Sequence, residues 1–413
     1  MYSMKQNYSF YLLIGTFLIS AISFSQGFQV NFQGQKQQAM GCAGTALQSD
    51  GASLFFNPGA SAFAKENSVN IATTPIFANV MYVDSATNDV YRTENPVGTP
   101  FSAYGLFQLK EDGKLKLGIA AYTPFGSTVQ WEKNWIGRFA ITRLELKAIF
   151  IQPTISYRIS DKIGVGAGFV YSTGNVNLQK DIPVQFEDGT FAKAELAGKA
   201  QGFGYNLGVQ INATEKLGIG FNFRSKVQMN LNDGEATFTV PSGLDPNFPD
   251  GKFVGGLPLP QVATLGLSYK LNEKWAFVLD INHVGWKVYD TLAFDYETNT
   301  TSLLDTKSPR NYKNIVAFRA GAAYKVMKNL ELRFGGGYGL TPVQDGYVTP
   351  ETPDGNRAYG TFGLGYELGK HFAIDASCYY TQITRADINQ ETNLSGTFTT
   401  KAIAAGIGFI YKW

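Results

Sequence analysis

Beyond about residue 67 the chain is written with a period of two. Leu217, Ile219, Phe221 and Phe223 alternate with Gly218, Gly220, Asn222 and Arg224. Phe203, Tyr205, Leu207, Val209 and Ile211 alternate with Gly202, Gly204, Asn206 and Gly208, and Ile163 to Tyr171 alternate with Gly164, Gly166 and Gly168. Successive side chains of a strand point to opposite faces, so each stretch predicts a strand with one apolar face and one small or polar face. Helical periodicity is scarce. Soluble sandwiches alternate too, so the connections must decide between them.

Short and long connections take turns. Lys110 to Gly113, Ser160 to Lys162, Asn212 to Glu215, Asn272 to Glu273, Val326 to Lys328 and Gly369 to Lys370 are short, while those near 83–99, 126–141, 178–198, 232–260, 287–312, 340–356 and 386–398 are long. Outer-membrane barrels have this asymmetry, with short periplasmic turns and long external loops. The segments between predict an all-β fold, a transmembrane antiparallel β-barrel of about fourteen strands, the third running from Leu115 to about Phe125. Tyr157, Tyr171, Tyr269, Trp275 and Tyr411 fall near segment ends, as interfacial girdles do. In the last strand Ile407, Phe409, Tyr411 and Trp413 share one face and the sequence stops on the aromatic residue. That ending resembles the signal read by the barrel-assembly machinery; the alternative is an ordinary apolar terminal strand.

Lys5, an apolar run from Phe10 to Ile22 and Ser23-Phe24-Ser25 predict a signal peptide over 1–25, hence an exported protein. The run is shorter than the roughly 20 residues a transmembrane helix needs. The net charge of +2 offers no electrostatic footprint for nucleic acid. Only His283 and His371 are present, without a Gly-x-Ser-x-Gly elbow or a Cys and His spacing for zinc, so neither enzyme, cofactor nor metal site is expected. Cys42 and Cys378 are expected as free thiols, although an oxidising compartment permits a disulfide.

Residues 26–66 alternate poorly and are rich in Gly, Ala, Ser and Gln. A barrel of about fourteen strands (67–413) encloses more space than its own side chains fill, which gives such a segment a place as a hatch in the lumen. Gly27-Phe28-Gln29-Val30-Asn31, Gly41-Cys42-Ala43-Gly44, Asn57-Pro58-Gly59-Ala60, Gly202-Phe203-Gly204-Tyr205-Asn206, Arg224-Ser225-Lys226-Val227, Thr341-Pro342-Val343 and Pro353-Asp354-Gly355-Asn356-Arg357 follow one another in this order. Together they resemble the FadL-type transporters of long-chain fatty acids and hydrocarbons (the OmpP1/FadL/TodX family), over some 380 residues. Gly59 intervenes where the family has Asn-Pro-Ala.

The resemblance implies a monomeric barrel in the outer membrane of a Gram-negative bacterium. A hydrophobic ligand, a long-chain fatty acid first among candidates, would be captured by outer loops, enter the lumen and leave sideways by passive diffusion into outer-membrane lipid through a gap at a kinked third strand. Pro124 and Gly126 would mark that gap, or merely the end of the strand. Asn57, Pro58 and Gly59 would pack beside it, unless Asn-Pro simply forms a turn. Phe28 matches a position beside the ligand, and Phe150 is counted with it. By parity Arg224, Lys226, Arg319 and Arg333 point inward to meet a carboxylate, or else pair with Asp280, Glu331 or Asp375. Trp131, Trp135, Ile136 and Phe139, with Leu244, Phe248, Phe253, Val254 and Leu257, would capture ligand from the loops. A general porin for polar solutes, or an adhesin or scaffold barrel, are the rival functions.

Overall fold

The computed structural model describes residues 27–109 and 112–413. The expected signal peptide, Gln26, and Lys110 of the first short turn lie outside the described residues. Twenty strand segments join end to end into fourteen antiparallel barrel strands, six of them interrupted once. Strand 1 comprises Ser68–Thr73 and Ile76–Asp84, and strand 14 is Ser395–Lys412. Their pairing, with Ile71 opposite Phe409 and Phe77 opposite Ile403, closes the barrel. Closure at this seam pairs the first strand with the last, so neither is left as an open edge, which hydrocarbon would not tolerate.

The outer face carries the apolar half of the alternation. Phe203, Leu207, Phe221, Phe334 and Phe409 are all exposed, as a lipid-facing belt requires. The inner half is small because another part of the chain occupies the lumen. Residues 27–66 are mostly buried there, with short helices at Gln35–Ala39, Ser53–Phe56 and Pro58–Ser61. A Cβ on Gly208 would come within 2.7 Å of the Gly59 amide nitrogen, and one on Gly220 would meet the Thr45 backbone at 2.7 Å. Glycine at these wall positions admits the plug backbone to near contact.

Several expected loops are strands. Strand 5 (Ile163–Gln185) and strand 6 (Phe191–Asn212) run through most of 178–198 and leave a connection of only residues 186–190. Likewise Val227–Thr239 and Gly251–Leu259 occupy much of 232–260, Thr291–Tyr296 and Thr306–Pro309 lie within 287–312, and strands Phe372–Ile388 and Ser395–Lys412 reach into 386–398. Above the membrane a strand needs no apolar outer face, so the hydropathy alternation fades while the hydrogen-bond ladder continues. Strand 3 is also longer than expected, Leu115–Gln130, and Pro124 therefore sits inside it. Cys42 is buried, Cys378 is exposed, and both thiols are free.

Candidate functional site

Strand 2 consists of Val90–Arg92 and Phe101–Gln108. It pairs with strand 3 from Gln108 opposite Lys116 to Ser102 opposite Tyr122, and again at Thr93 opposite Trp131. Between these stretches the described backbone shows no hydrogen bond from 95–100 to 124–129. Pro96 and Pro100 on one side and Pro124 on the other have no N–H to give, and strand 3 shifts register between Tyr122 and Phe125. The wall is thus open between strands 2 and 3 at this height.

Residues 28–30 fill the missing place. The Val30 amide donates to the Pro124 carbonyl at 2.8 Å, the Gly126 amide donates to the Phe28 carbonyl at 3.1 Å, and Gln29 forms an antiparallel bridge with Phe125. Phe28 packs edge-on against Trp286, Tyr289 and Phe125, with ring centroids 4.8, 5.8 and 6.2 Å away. Phe150 is buried behind Phe125 at 6.1 Å.

A cavity of about 480 Å³ runs from this N-terminal segment to the opening in the wall, bordered by Phe28, Phe32, Val80, Phe101, Phe125 and Val129. Its volume falls in the range of about 300–1,000 Å³ common for small-molecule sites. Three charged groups of the external segment 340–357 stand at its edge, Glu351, Asp354 and Arg357, and Glu351 is already paired with Arg310 at 2.8 Å. Asp354 accepts from the Gly27 amide at 3.2 Å and from Thr341 Oγ1 at 2.8 Å. Burial pushes its carboxyl up to about 6, against the opposing pull of Arg357 and these donors. A larger cavity of about 860 Å³ opens at the periplasmic end between residues 46–50, 63–66 and the short turns, and Phe28 does not border it.

The inward cations serve the plug and the wall instead. Arg224 is 4% exposed, donates to the Phe55 carbonyl at 3.0 Å and lies 3.9 Å over the Phe55 ring. Arg319 donates to the Cys42 carbonyl at 3.2 Å and to Asn31 Oδ1 at 3.0 Å. Arg333 joins Glu331 at 2.7 Å and Asp375 at 2.6 Å, and Lys36 of the plug reaches Glu331 at 3.2 Å. Asp280 accepts from the Gly44 and Thr45 amides at 2.9 and 3.1 Å. Lys226 corrects the parity expectation: strand 7 breaks at Ser225–Lys226, the alternation flips, and Lys226 is exposed while Val227 and Met229 are buried.

Asn57 also lies elsewhere than expected. Its amide donates to the carbonyls of Thr45 and Val209 at 2.8 and 3.0 Å, its oxygen accepts from the Gly59 amide at 2.9 Å, and Pro58 rests against Gly166. Asn57-Pro58-Gly59 thus seats the plug on strands 5 and 6 rather than beside Pro124. A Cβ at Gly59 would lie 2.8 Å from the backbone of Gly164, Gly208 and Gln210, so the extra glycine fits the close approach. Trp131 and Trp135 are buried, stacked at 4.2 Å, with their indole N–H groups on Pro350 and Ile141 carbonyls at 3.1 and 2.8 Å. Phe253 is buried with Leu196 and Leu231, Phe248 and Leu257 are half-buried, and Ile136, Phe139 and Val254 are exposed. Loop packing, rather than a free capture surface, accounts for the buried three. Sequence reasoning passed over Arg357, Asp354 and the main chain of residues 28–30 as site groups; backbone pairing leaves no side-chain pattern to find.

Residues 16–413 match the family profile described as outer membrane protein transport protein (OMPP1/FadL/TodX). A putative outer membrane protein of Neisseria meningitidis, NMB0088, is 24% identical over 97% of this chain and 98% of its own length. The long-chain fatty acid transport protein of an Escherichia coli strain is 20% identical over 89% of this chain and 90% of its own. Among solved structures, a Pseudomonas aeruginosa FadL homologue superposes with a TM-score of 0.81 at 18% identity, covering 94% of this chain and 99% of that one. The Pseudomonas putida toluene transporter TodX gives 0.72 at 18% identity, covering 92% and 98%.

Proposed function

This chain belongs to the OMPP1/FadL/TodX family of outer-membrane transport proteins, and on that premise we propose that its cargo is a long-chain fatty acid that leaves sideways through the wall. Transport of hydrophobic molecules across the outer membrane, without enzymatic chemistry, is the family's activity. The observation that carries the finer reading is the cavity itself: apolar rings on one side, Arg357 at its edge, and an opening between strands 2 and 3 at its end. Each CH₂ withdrawn from water contributes about 0.8 kcal/mol, and a carboxylate prefers a guanidinium, so the two linings suit the two ends of a fatty acid. A relative named for long-chain fatty acids favours the same cargo; the toluene transporter among the structural neighbours makes an aromatic hydrocarbon the second candidate.

Residues 26–66 act as the hatch, and residues 28–30 act as its movable edge. While they hold the free rim of strand 3 the opening is shut; when ligand displaces Phe28 they release it, and cargo diffuses into outer-membrane lipid. The lumen filled by this segment speaks against a general porin, whose solutes need water there. The barrel works as a monomer, and its fourteenth strand serves the assembly machinery. Equilibrium binding of a fluorescent long-chain acid, with competition by unlabelled acid and by an alkane of equal length, tests the cargo. Arg357→Gln should weaken the acid about ten- to hundredfold, the worth of a charge-assisted hydrogen bond of about 1.5–3 kcal/mol, and leave the alkane unchanged. Equal losses for both, or tighter binding of the alkane than of the acid by the unaltered protein, would favour a hydrocarbon carrier.

A further inference from the structure

The outer wall between strands 4 and 7 sorts its charges by height. Strand 4 is Arg143–Arg158. Its Ile151 stands in register with Tyr171 of strand 5 and Phe203 of strand 6, the aromatic top of the belt, where Phe169 and Phe203 stack at 5.9 Å. Two rungs further out, Lys147, Asn175 and Lys199 form one row across the same three strands. Four residues of tilted strand place that row roughly 10 Å beyond the aromatic top, where lipid headgroups begin. Lys147 and Lys199 are exposed and sit two strand spacings apart, about 10 Å. The exposed Lys226 lies lower, beside Tyr205, within reach of the same level through its apolar stem.

On strands 4 to 6 the carboxylates of this face, Glu145, Glu195 and Asp181, all lie further from the belt than Lys147 and Lys199; on strand 7 the exposed Asp233 stands level with Lys199 and is held, with Glu235, by Lys252. Glu145 is shared by Lys147 at 2.5 Å and Arg143 at 3.0 Å, and Lys199 has no ion pair among the described residues. On strands 4 to 6 cations therefore hold the level next to lipid, with acid groups above them, and on strand 7 Lys252 offsets Asp233; that order suits an anion approaching from the bilayer rather than from water. We propose that this face binds a phosphorylated glycolipid of the outer leaflet, with Lys147 and Lys199 on its phosphates and Phe169, Tyr171 and Phe203 against its acyl chains. Lys147 also borders the ligand cavity from outside, so the lipid would lie beside the opening in the wall. The site stands whatever the cargo is.

Native mass spectrometry of the detergent-purified chain, titrated with bis-phosphorylated lipid A, tests this. The unaltered protein should retain lipid A at least tenfold more tightly than the Lys147→Gln/Lys199→Gln variant, and more tightly than it retains dephosphorylated lipid A. A Lys325→Gln/Lys328→Gln control at the periplasmic end should match the unaltered protein, with heat-modifiable gel mobility reporting the fold of each. Equal retention by the first variant, or of the dephosphorylated lipid, would overturn the proposal. Displacement of lipid A by inorganic pyrophosphate at equal concentration would reassign the lysines to a free anion and overturn it too.

Discussion

Arg224 and Asp354 separate two kinds of charge in this molecule. Arg224 holds the plug, through the Phe55 carbonyl and ring, and meets Tyr122 of strand 3. Arg224→Ala should cost about 1.5–3 kcal/mol of stability in chemical unfolding while leaving fatty-acid affinity within twofold; a large loss of affinity at full stability would return Arg224 to the ligand site. Asp354 carries a pH dependence. Its carboxyl titrates near 3.8 when unconstrained and at about 6 when buried here, so the folded chain takes up the extra proton between these values. The unfolded state holds fewer protons across that window, and stability falls as pH rises through it. Measured against Asp354→Asn, which cannot ionise, the unaltered protein should lose stability from about pH 4 to about pH 6 and differ little in slope beyond; parallel curves would refute the assignment. The inward direction of Arg224, Arg319 and Arg333 was legible from parity. Glu331 and Asp375 were also legible as partners, and Arg333 pairs with both; the partners of Arg224 and Arg319 were not, because carbonyls of Phe55 and Cys42 leave no trace in a side-chain pattern.

At the level of elements, the decisive feature is a strand that is not continuous with the sheet. Residues 28–30 pair with strand 3 where strand 2 departs, by bonds from Val30 to Pro124 and from Gly126 to Phe28. Val30→Pro removes the first donor without demanding a new conformation of the extended residue before it. The rate at which bound fatty acid passes from proteoliposomes to acceptor vesicles should rise severalfold, whereas an unchanged or slower rate would deny residues 28–30 any role in closure. The alternation predicted the strands themselves, since lipid outside and a glycine-lined plug seat inside impose opposite demands on successive residues. It misplaced Lys226 because one break at Ser225–Lys226 inverts the parity of the outer part of strand 7, and it lost strands 5 and 6 above the membrane where water faces both sides. Pro124 was visible as an interruption, but its occupant was not.

For the whole molecule, the barrel supplies the wall and the N-terminal segment supplies contents, and the proposed transport depends on a place where contents and wall share a ladder. Fourteen strands and a lumenal segment were expected from turn spacing and from a stretch that fits no strand; the location of the cavity came only from how the two meet. The most direct measurement uses a reversible lock. Gln29→Cys and Phe125→Cys, introduced together with Cys42→Ser and Cys378→Ser, place a disulfide across the antiparallel bridge that joins residues 28–30 to strand 3. Uptake of labelled long-chain fatty acid by cells carrying this protein should be abolished under oxidation and restored in the same cells by a reductant. Uptake that continues unchanged with the disulfide formed would contradict a side door closed by the N-terminal segment.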